Sequence, residues 1–249
     1  MAEIRREYLV GWIRATKRIA LGGETLLDDN LPHGIKVVSL SMNFTRGTEE
    51  EFGASMPAYE SKVAEFASMK ADLIRPGGAP PFMLLGFEGE RRIIREWEQK
   101  YGVPIFTTSQ NHVRALKTLD VNAFVGASYF PEKLNDVFTR YFQEAGFNAM
   151  AMEGIRVPFA DVPNLPPELI FKHIKNVFEK HRDAEGVYLL GSAWKSIELI
   201  EQLEQTLGVP VIHPAAARCW ETQIRLGFRI PTPGYGRLLA QMPEAAPLV

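Results

Sequence analysis

The chain has 249 residues, 46% hydrophobic and 23% charged, with a formal net charge of −2. That is the composition of a globular protein with enough apolar material for one large or two small domains, and it lacks the basic field that favours nucleic acid. The one cysteine, Cys219, excludes an internal disulfide framework and a Cys-rich zinc site. No apolar run reaches the roughly 18 residues of a membrane span. The first residues, Met-Ala-Glu-Ile-Arg-Arg-Glu, are charged and lack the apolar stretch of a signal peptide, so a cytoplasmic protein is expected.

Taken in order, residues 8–13 read as an apolar first strand and 35–42 as a second, with a loop containing a short helix between them. Residues 43–55 are polar and longer than the usual βα connection of about 2–6 residues, the mark of a lid. Apolar spacing predicts a helix over 57–70, with Pro57 suited to its first turn. A short strand at 73–74 ends in Gly77-Gly78. A helix over 89–101, a strand over 103–107 and a helix capped by Ser109 and running to 119 follow. The second half repeats the alternation: strands over 122–128, 147–152, 187–190 and 209–212, and helices from Pro131, over 168–181, over 194–207 and over 215–226. The tail at 230–235 reads as extended.

Strands alternating with helices, and apolar throughout, argue for parallel α/β sheets. An internal repeat adds to this. Lys100-Tyr-Gly-Val-Pro-Ile-Phe-Thr107 echoes Thr206-Leu-Gly-Val-Pro-Val-Ile-His213, each between two helices. The expected fold is therefore two pseudo-symmetric halves, residues 1–119 and 120–249 with its tail. Each half is expected to be a four-stranded parallel sheet flanked by helices. The cleft should lie where the carboxyl ends of the two sheets face each other.

Two stretches share one grammar, a short apolar strand, small residues, then a helix: Ala71-Asp-Leu-Ile-Arg-Pro-Gly-Gly-Ala79 and Gly186-Val-Tyr-Leu-Leu-Gly-Ser-Ala-Trp-Lys195. Backbone N–H groups at Gly78-Ala79 and at Ser192-Ala193 would sit at strand-to-helix turns, where the helix dipole favours an anion. Glycine and alanine let a carboxylate come close to the backbone. These turns, with Val125-Gly-Ala-Ser-Tyr129 and Pro233-Gly-Tyr-Gly-Arg-Leu238, resemble the Asp/Glu racemase superfamily, in the branch holding arylmalonate decarboxylase and maleate cis-trans isomerase. Racemases of that superfamily use two cysteines, one on each side of the substrate; the isomerase uses the first as a nucleophile, and the decarboxylase keeps only the second, as proton donor. Here the first position falls at Gly78 or Ala79 and the second at Gly191, so neither thiol is present. Cys219 lies in a predicted helix and reads as a small buried hydrophobe.

The resemblance implies a cofactor-independent enzyme that takes a small carboxylate or dicarboxylate through an enediolate-type intermediate. A decarboxylase without the thiol donor is the nearest version. An isomerase or hydratase using His or Tyr in place of Cys, and a non-catalytic carboxylate binder, are the alternatives. By the resemblance Tyr129 hydrogen-bonds the substrate carboxylate or oxyanion. Ser192 either donates to a ligand or caps the following helix, and Gly78, Ala79, Gly191 and Ala193 form the cradle. Phe82 and Trp194 are either an apolar wall of the site or core. His213 ends the last strand and suits general acid–base work in place of the missing thiol; His112, at the equivalent place in the first half, is either functional or a helix cap. Arg14, Arg46 and Arg75 could each fork a carboxylate, and Glu153 could be a base or an arginine's partner. No metal, organic cofactor, nucleic acid or membrane partner is expected, and a homo-oligomer stays open.

Overall fold

The structure, a computed structural model, describes residues 7–15, 26–29, 31–191 and 193–247. The first half runs β1 (Tyr8–Arg14), α1 (Leu26–Asp29), β2 (Ile35–Ser41), α2 (Glu49–Gly53), α3 (Met56–Ser68), β3 (Leu73–Pro76), α4 (Ala79–Met83), α5 (Phe87–Tyr101) and α6 (Thr108–Thr118). The second runs β4 (Ala123–Ser128), α7 (Glu132–Glu144), β5 (Asn148–Gly154), α8 (Pro167–Glu179), β6 (Gly186–Leu189), α9 (Ile200–Leu207), β7 (Val211–Ile212), α10 (Pro214–Arg225) and α11 (Arg237–Gln241).

The strands form two parallel sheets, ordered β2-β1-β3 and β5-β4-β6-β7. The fold is thus α/β with two similar halves, but the fourth strand expected in the first sheet contracts to one parallel bridge between Ile74 and Ile105. Pro104 has no N–H to give a ladder. The contact rests on the Ile74 N–H donating to the Pro104 carbonyl at 3.0 Å and the Phe106 N–H donating to the Ile74 carbonyl at 3.1 Å.

Hydrogen bonds set the correspondence between the halves. Beyond β3 the Gly77 N–H donates to the Ile13 carbonyl at 2.7 Å, and beyond β6 the Leu190 N–H donates to the Ala127 carbonyl at 2.9 Å. Met42 donates to Arg14 at 2.8 Å as Ile155 does to Ser128 at 2.9 Å. Gly78 therefore corresponds to Gly191, and Ala15 to Tyr129. The last long helix of each half, α6 and α10, pack side by side, where Asn111 Nδ2 donates to the Ala217 carbonyl at 3.0 Å and to Glu221 Oε2 at 2.7 Å.

The helix predicted over 194–207 is shorter than its apolar pattern. The Trp194 indole N–H donates to the Gly191 carbonyl at 2.9 Å, and the Ser196 N–H turns back to the Trp194 carbonyl. These bonds hold the chain in a loop until a 3-10 turn at Ile197–Leu199, and α9 starts only at Ile200. A helix dipole fades within a turn, so it does not reach Ala193.

Beneath β1, Asp28 bridges two buried guanidiniums. Its Oδ1 accepts from Arg75 Nη2 at 2.6 Å and its Oδ2 from Arg218 Nη2 at 3.0 Å. Burial alone would raise the Asp28 carboxyl, but the charges and hydrogen bonds of Arg218 and Arg75 outweigh it and hold the carboxyl below its ordinary value. Both arginines also lie against the Trp12 ring, at 5.2 Å for Arg75 and 4.3 Å for Arg218. Removing the carboxylate strands two buried cations, so D28N is expected to lose about 3–5 kcal/mol, as broken buried ion pairs do. Urea unfolding of D28N beside the parent chain measures the loss.

Candidate active site

The carboxyl ends of β1, β3, β4 and β6 meet at a cavity of about 90 Å³. Its lining includes Arg14, Arg218, His112 and Thr108, with the Trp12 ring against the two guanidiniums at 5.0 and 4.3 Å. It also includes the rings of Phe44, Phe52, Tyr129, Phe130 and Phe159, which pack on one another. Gly78, Ala79, Gly191 and Ala193 all line it, so the two glycine turns do converge on one space. Tyr129, Phe130 and Phe159 also border a wide surface groove of about 1630 Å³, which runs past Arg46, Lys133 and Arg156.

The two turns are chemically unequal. At the first, Pro80 and Pro81 carry no N–H, and the Gly77 N–H is already given to Ile13, so the donors of this turn reduce to Gly78 and Ala79. Gly78 adopts φ +92°, a left-handed value, and a β carbon there would stand 3.0 Å from the Tyr59 hydroxyl and 3.1 Å from Ala15 Cβ. At the second turn Gly191 adopts φ +89°, and a β carbon would overlap the Tyr129 hydroxyl and ring. That hydroxyl accepts the Ala193 N–H at 3.3 Å. Where the first half has Ala15 beside Gly78, the second has Tyr129, whose oxygen lies in the space a side chain at 191 would use.

The segment 43–53 supplies two of the aromatic rings. Phe44 and Phe52 pack edge to face at 5.2 Å, and Phe52 reaches Phe130 at 6.2 Å. Glu51 holds the loop together by accepting the N–H groups of Thr45, Arg46 and Gly47 at 2.8–3.0 Å. Those bonds draw its carboxyl below the ordinary value despite the opposing cost of burial, which is the largest influence on it. Gly47, at φ +67°, lies directly under the Phe159 ring.

Residues 33–239 match the family model described as arylmalonate decarboxylase. The chain belongs to the arylmalonate decarboxylase family. It is 26% identical over 148 residues to the arylmalonate decarboxylase of Bordetella bronchiseptica, a match covering 55% of this chain and 58% of that protein. Its fold superposes on the maleate isomerase Iso of Pseudomonas putida S16 with a TM-score of 0.85 at 17% identity, over 95% of this chain and 100% of that one. A maleate cis-trans isomerase of Nocardia farcinica, solved as a C→S mutant with a covalently bound succinylcysteine intermediate, matches with a TM-score of 0.84 at 18% identity, over 94% and 98%.

Within this family fold, the cavity collects Tyr129, Arg14, Gly78, Ala79, Gly191 and Ala193 of the residues singled out from sequence. Ser192 lies outside the described residues. Three others are placed elsewhere. Phe82 is wholly buried against Tyr59, at 4.8 Å, and Trp97, at 6.4 Å, and belongs to the core. Trp194 packs on Tyr129 at 5.5 Å and props the second turn through Gly191, rather than lining the cavity. His213 is the N-cap of α10: its Nδ1 accepts the Ala215 N–H at 3.1 Å, and its Nε2 meets Ser196 Oγ at 3.1 Å. Capping needs a neutral ring, and burial, aided by the charge of Arg218, pushes His213 down to about 3. It is a structural cap with both nitrogens engaged and no access to the cavity.

Arg75 is committed to Asp28 and to Thr222 Oγ1, at 3.1 Å. Arg46 is exposed at the groove, 3.8 Å from Glu50, and Glu153 pairs with Lys180 at 2.7 Å on the far rim. Cys219 is buried, its Sγ 3.7 Å from the Leu27 carbonyl; burial, with Asp28 nearby, raises its thiol to about 11. The aromatic walls escaped sequence reading because their residues come from the lid, the β4 end and the 155–165 loop, which only folding brings together. Arg218 was findable: the Gly-Val-Pro repeat sets it at the same helical position in α10 as His112 in α6.

A buried carboxyl helps fix α6. Glu90 on α5 accepts from Thr107 Oγ1 and Ser109 Oγ, each at 2.5 Å, and from the Tyr141 hydroxyl. Burial raises it to about 7 against the pull of those hydroxyls.

Two measurements test this geometry. Gly191→Ala is expected to cost about 1–3 kcal/mol through strain and overlap, and part of that cost should vanish beside Tyr129→Ala. A double-mutant cycle in urea with no coupling would refute the shared space. The second is acid stability. Native His112 and His213 stay neutral to about 3, while the unfolded chain protonates them from their ordinary 6.5 downward. Stability therefore falls as pH drops from about 6.5 toward 3. Glu90 opposes this, because the native state keeps a proton between about 4.5 and 7 that the unfolded chain releases. Glu90→Gln should thus steepen the loss in that window, read as unfolding free energy against pH.

Proposed function

We propose that the chain is a cofactor-independent enzyme acting on a small carboxylate, with decarboxylation of a malonate-type acid as its reaction. The observation that carries this reading is one cavity lined both by the Arg14 and Arg218 guanidiniums and by a cluster of aromatic rings, with the Tyr129 hydroxyl where a side chain at 191 would project. A malonate has two carboxylates on one carbon. The arginines and the Gly78–Ala79 turn suit the retained carboxylate, and the aromatic rings suit the departing one, which is easier to lose where water is excluded. In the proposed step the bond from Cα to the departing carboxylate breaks, CO₂ leaves, and the electron pair passes into an enediolate. Tyr129 then gives its phenolic proton to Cα, and the Ala193 N–H is placed to stabilise the phenolate until solvent reprotonates it. A hydrogen-bond donor aimed at such developing charge is worth roughly 3–4 kcal/mol.

The cavity is smaller than the roughly 300–1,000 Å³ of drug-sized sites, which favours small acids. Cis-trans isomerisation by thioether addition, the chemistry suggested by the succinylcysteine of the Nocardia farcinica structure, lacks support in this chain, whose one thiol is buried in α10. A second reading, carboxylate binding without turnover, has its own observation: Pro80 and Pro81 strip donors from the first turn, and Tyr129 takes up the Ala193 donor of the second.

The test is a CO₂-release and chiral-product screen over malonates from methylmalonate to phenylmalonate, with maleate alongside. We expect turnover of a malonate, loss of at least a hundredfold in kcat for Tyr129→Phe, and no loss on thiol alkylation of the folded protein. Binding without CO₂ release would select the second reading, and full activity in Tyr129→Phe would remove the tyrosine from the mechanism.

A further inference from the structure

His112 is wholly buried, lines the cavity, and is tied to the protein through one of its two nitrogens. Its Nδ1 lies 2.8 Å from the Tyr188 hydroxyl in β6, and its Nε2, equally buried, has no hydrogen-bond partner. A buried polar atom without a partner costs about 1–3 kcal/mol, so its presence in a ligand-sized space calls for an occupant. The chemistry of that occupant follows from the proton's position. A neutral imidazole carries one N–H, and a phenol buried among apolar rings must donate its own proton. Tyr188 is packed between Phe124 and Phe142, at 5.8 and 4.8 Å, and His112 is its hydrogen-bond acceptor among the described residues. If Nδ1 accepts from Tyr188, the ring proton resides on Nε2. The unpartnered atom is then a donor and calls for an oxygen lone pair.

The surroundings point the same way. His112 and Arg218 occupy equivalent positions on the paired helices α6 and α10, and both line the cavity. Three guanidiniums lie around the Trp12 ring, Arg14 at 5.0 Å, Arg75 at 5.2 Å and Arg218 at 4.3 Å, and Arg14 and Arg218 line the cavity with His112. Cations beside the donor suit an anionic acceptor. We propose that His112 is a ligand-binding and catalytic donor of the site, its Nε2–H directed at an oxygen of the bound carboxylate and of the enediolate that follows, with Tyr188 as the positioning residue that fixes the tautomer. The imidazole gives a hydrogen bond and transfers no proton, so it stabilises charge beside Tyr129 rather than competing with it. This assignment rests on the reading of the cavity as an oxyanion site.

The test is nitrogen-15 NMR of the histidine rings in the full-length protein, with phenylphosphonate as a probe that carries a ring and an oxyanion but nothing to lose as CO₂. The expected result is an Nε2-protonated His112 whose Nε2–H resonance moves on saturation with the probe. His112→Ala should weaken the probe at least tenfold, and Tyr188→Phe should permit the other tautomer while weakening it less. A proton found on Nδ1 in the free protein overturns the assignment. So does a probe that shifts Tyr129 and Ala193 but leaves Nε2–H unmoved, an outcome that spares the decarboxylase reading. A responsive Nε2–H in a protein that releases no CO₂ from any malonate supports the assignment and sinks the decarboxylase reading instead. Absence of any probe-induced shift around the cavity removes both.

Discussion

Two groups compete for one small volume at residue 191. The backbone there is left-handed, and the Tyr129 ring stands where a β carbon would project. A side chain at 191 and a tyrosine at 129 in this rotamer exclude each other. The second turn can present either a group from its own backbone position or the hydroxyl from the neighbouring strand. In this chain it presents the hydroxyl. That hydroxyl accepts the Ala193 N–H of the turn, and Trp194 packs on the Tyr129 ring. At the equivalent place in the first half, Gly78 meets Ala15 and the Tyr59 hydroxyl instead.

The halves are interlocked rather than merely adjacent. Tyr188 from the second sheet engages His112 on α6 of the first half, while Arg75 from the first sheet engages Thr222 on α10 of the second. Each sheet thus supports the helix that the other half contributes. The last described residues tighten the same seam: the Ala246 N–H donates to Thr118 Oγ1 at 2.9 Å, and Arg114 donates to the Ala246 carbonyl, also at 2.9 Å. Side chains placed by both halves can be held to within fractions of an ångström only if neither half moves freely, which is what preorganised donors require.

Much of this could be read from the chain. Apolar strands, helical spacing and the Gly-Val-Pro repeat pointed to two related parallel sheets, and the glycine turns pointed to the ends that face each other. What failed has physical causes. A terminal-strand histidine reads as catalytic, yet His213 is consumed as a helix cap, because the ring nitrogen substitutes for the oxygen of a serine or aspartate cap. Phe82 and Trp194 stayed open between wall and core because aromatics next to a turn can face either way, and only packing decides. Prolines 104, 80 and 81 were visible in sequence, but their effect, deleting specific N–H groups from a ladder and a cradle, appears only once the acceptors are known. The repeat marks the position of Arg218 as the counterpart of His112, but not its role, which depends on Asp28, distant in sequence and near in space.

The Glu51 loop has a consequence for how specificity is divided. Three successive backbone N–H groups of the lid, the kind of concave array that captures anions, are already satisfied by a carboxylate of the lid itself. These three donors are therefore spent within the lid, which contributes Phe44 and Phe52 to the cavity lining. In the proposed reading the acid is met by Arg14 and Arg218 and its side group by the rings of the lid, which come from separate stretches of chain. On that reading, substitutions at Phe44 or Phe52 would change which side group fits while leaving Arg14 and Arg218 untouched.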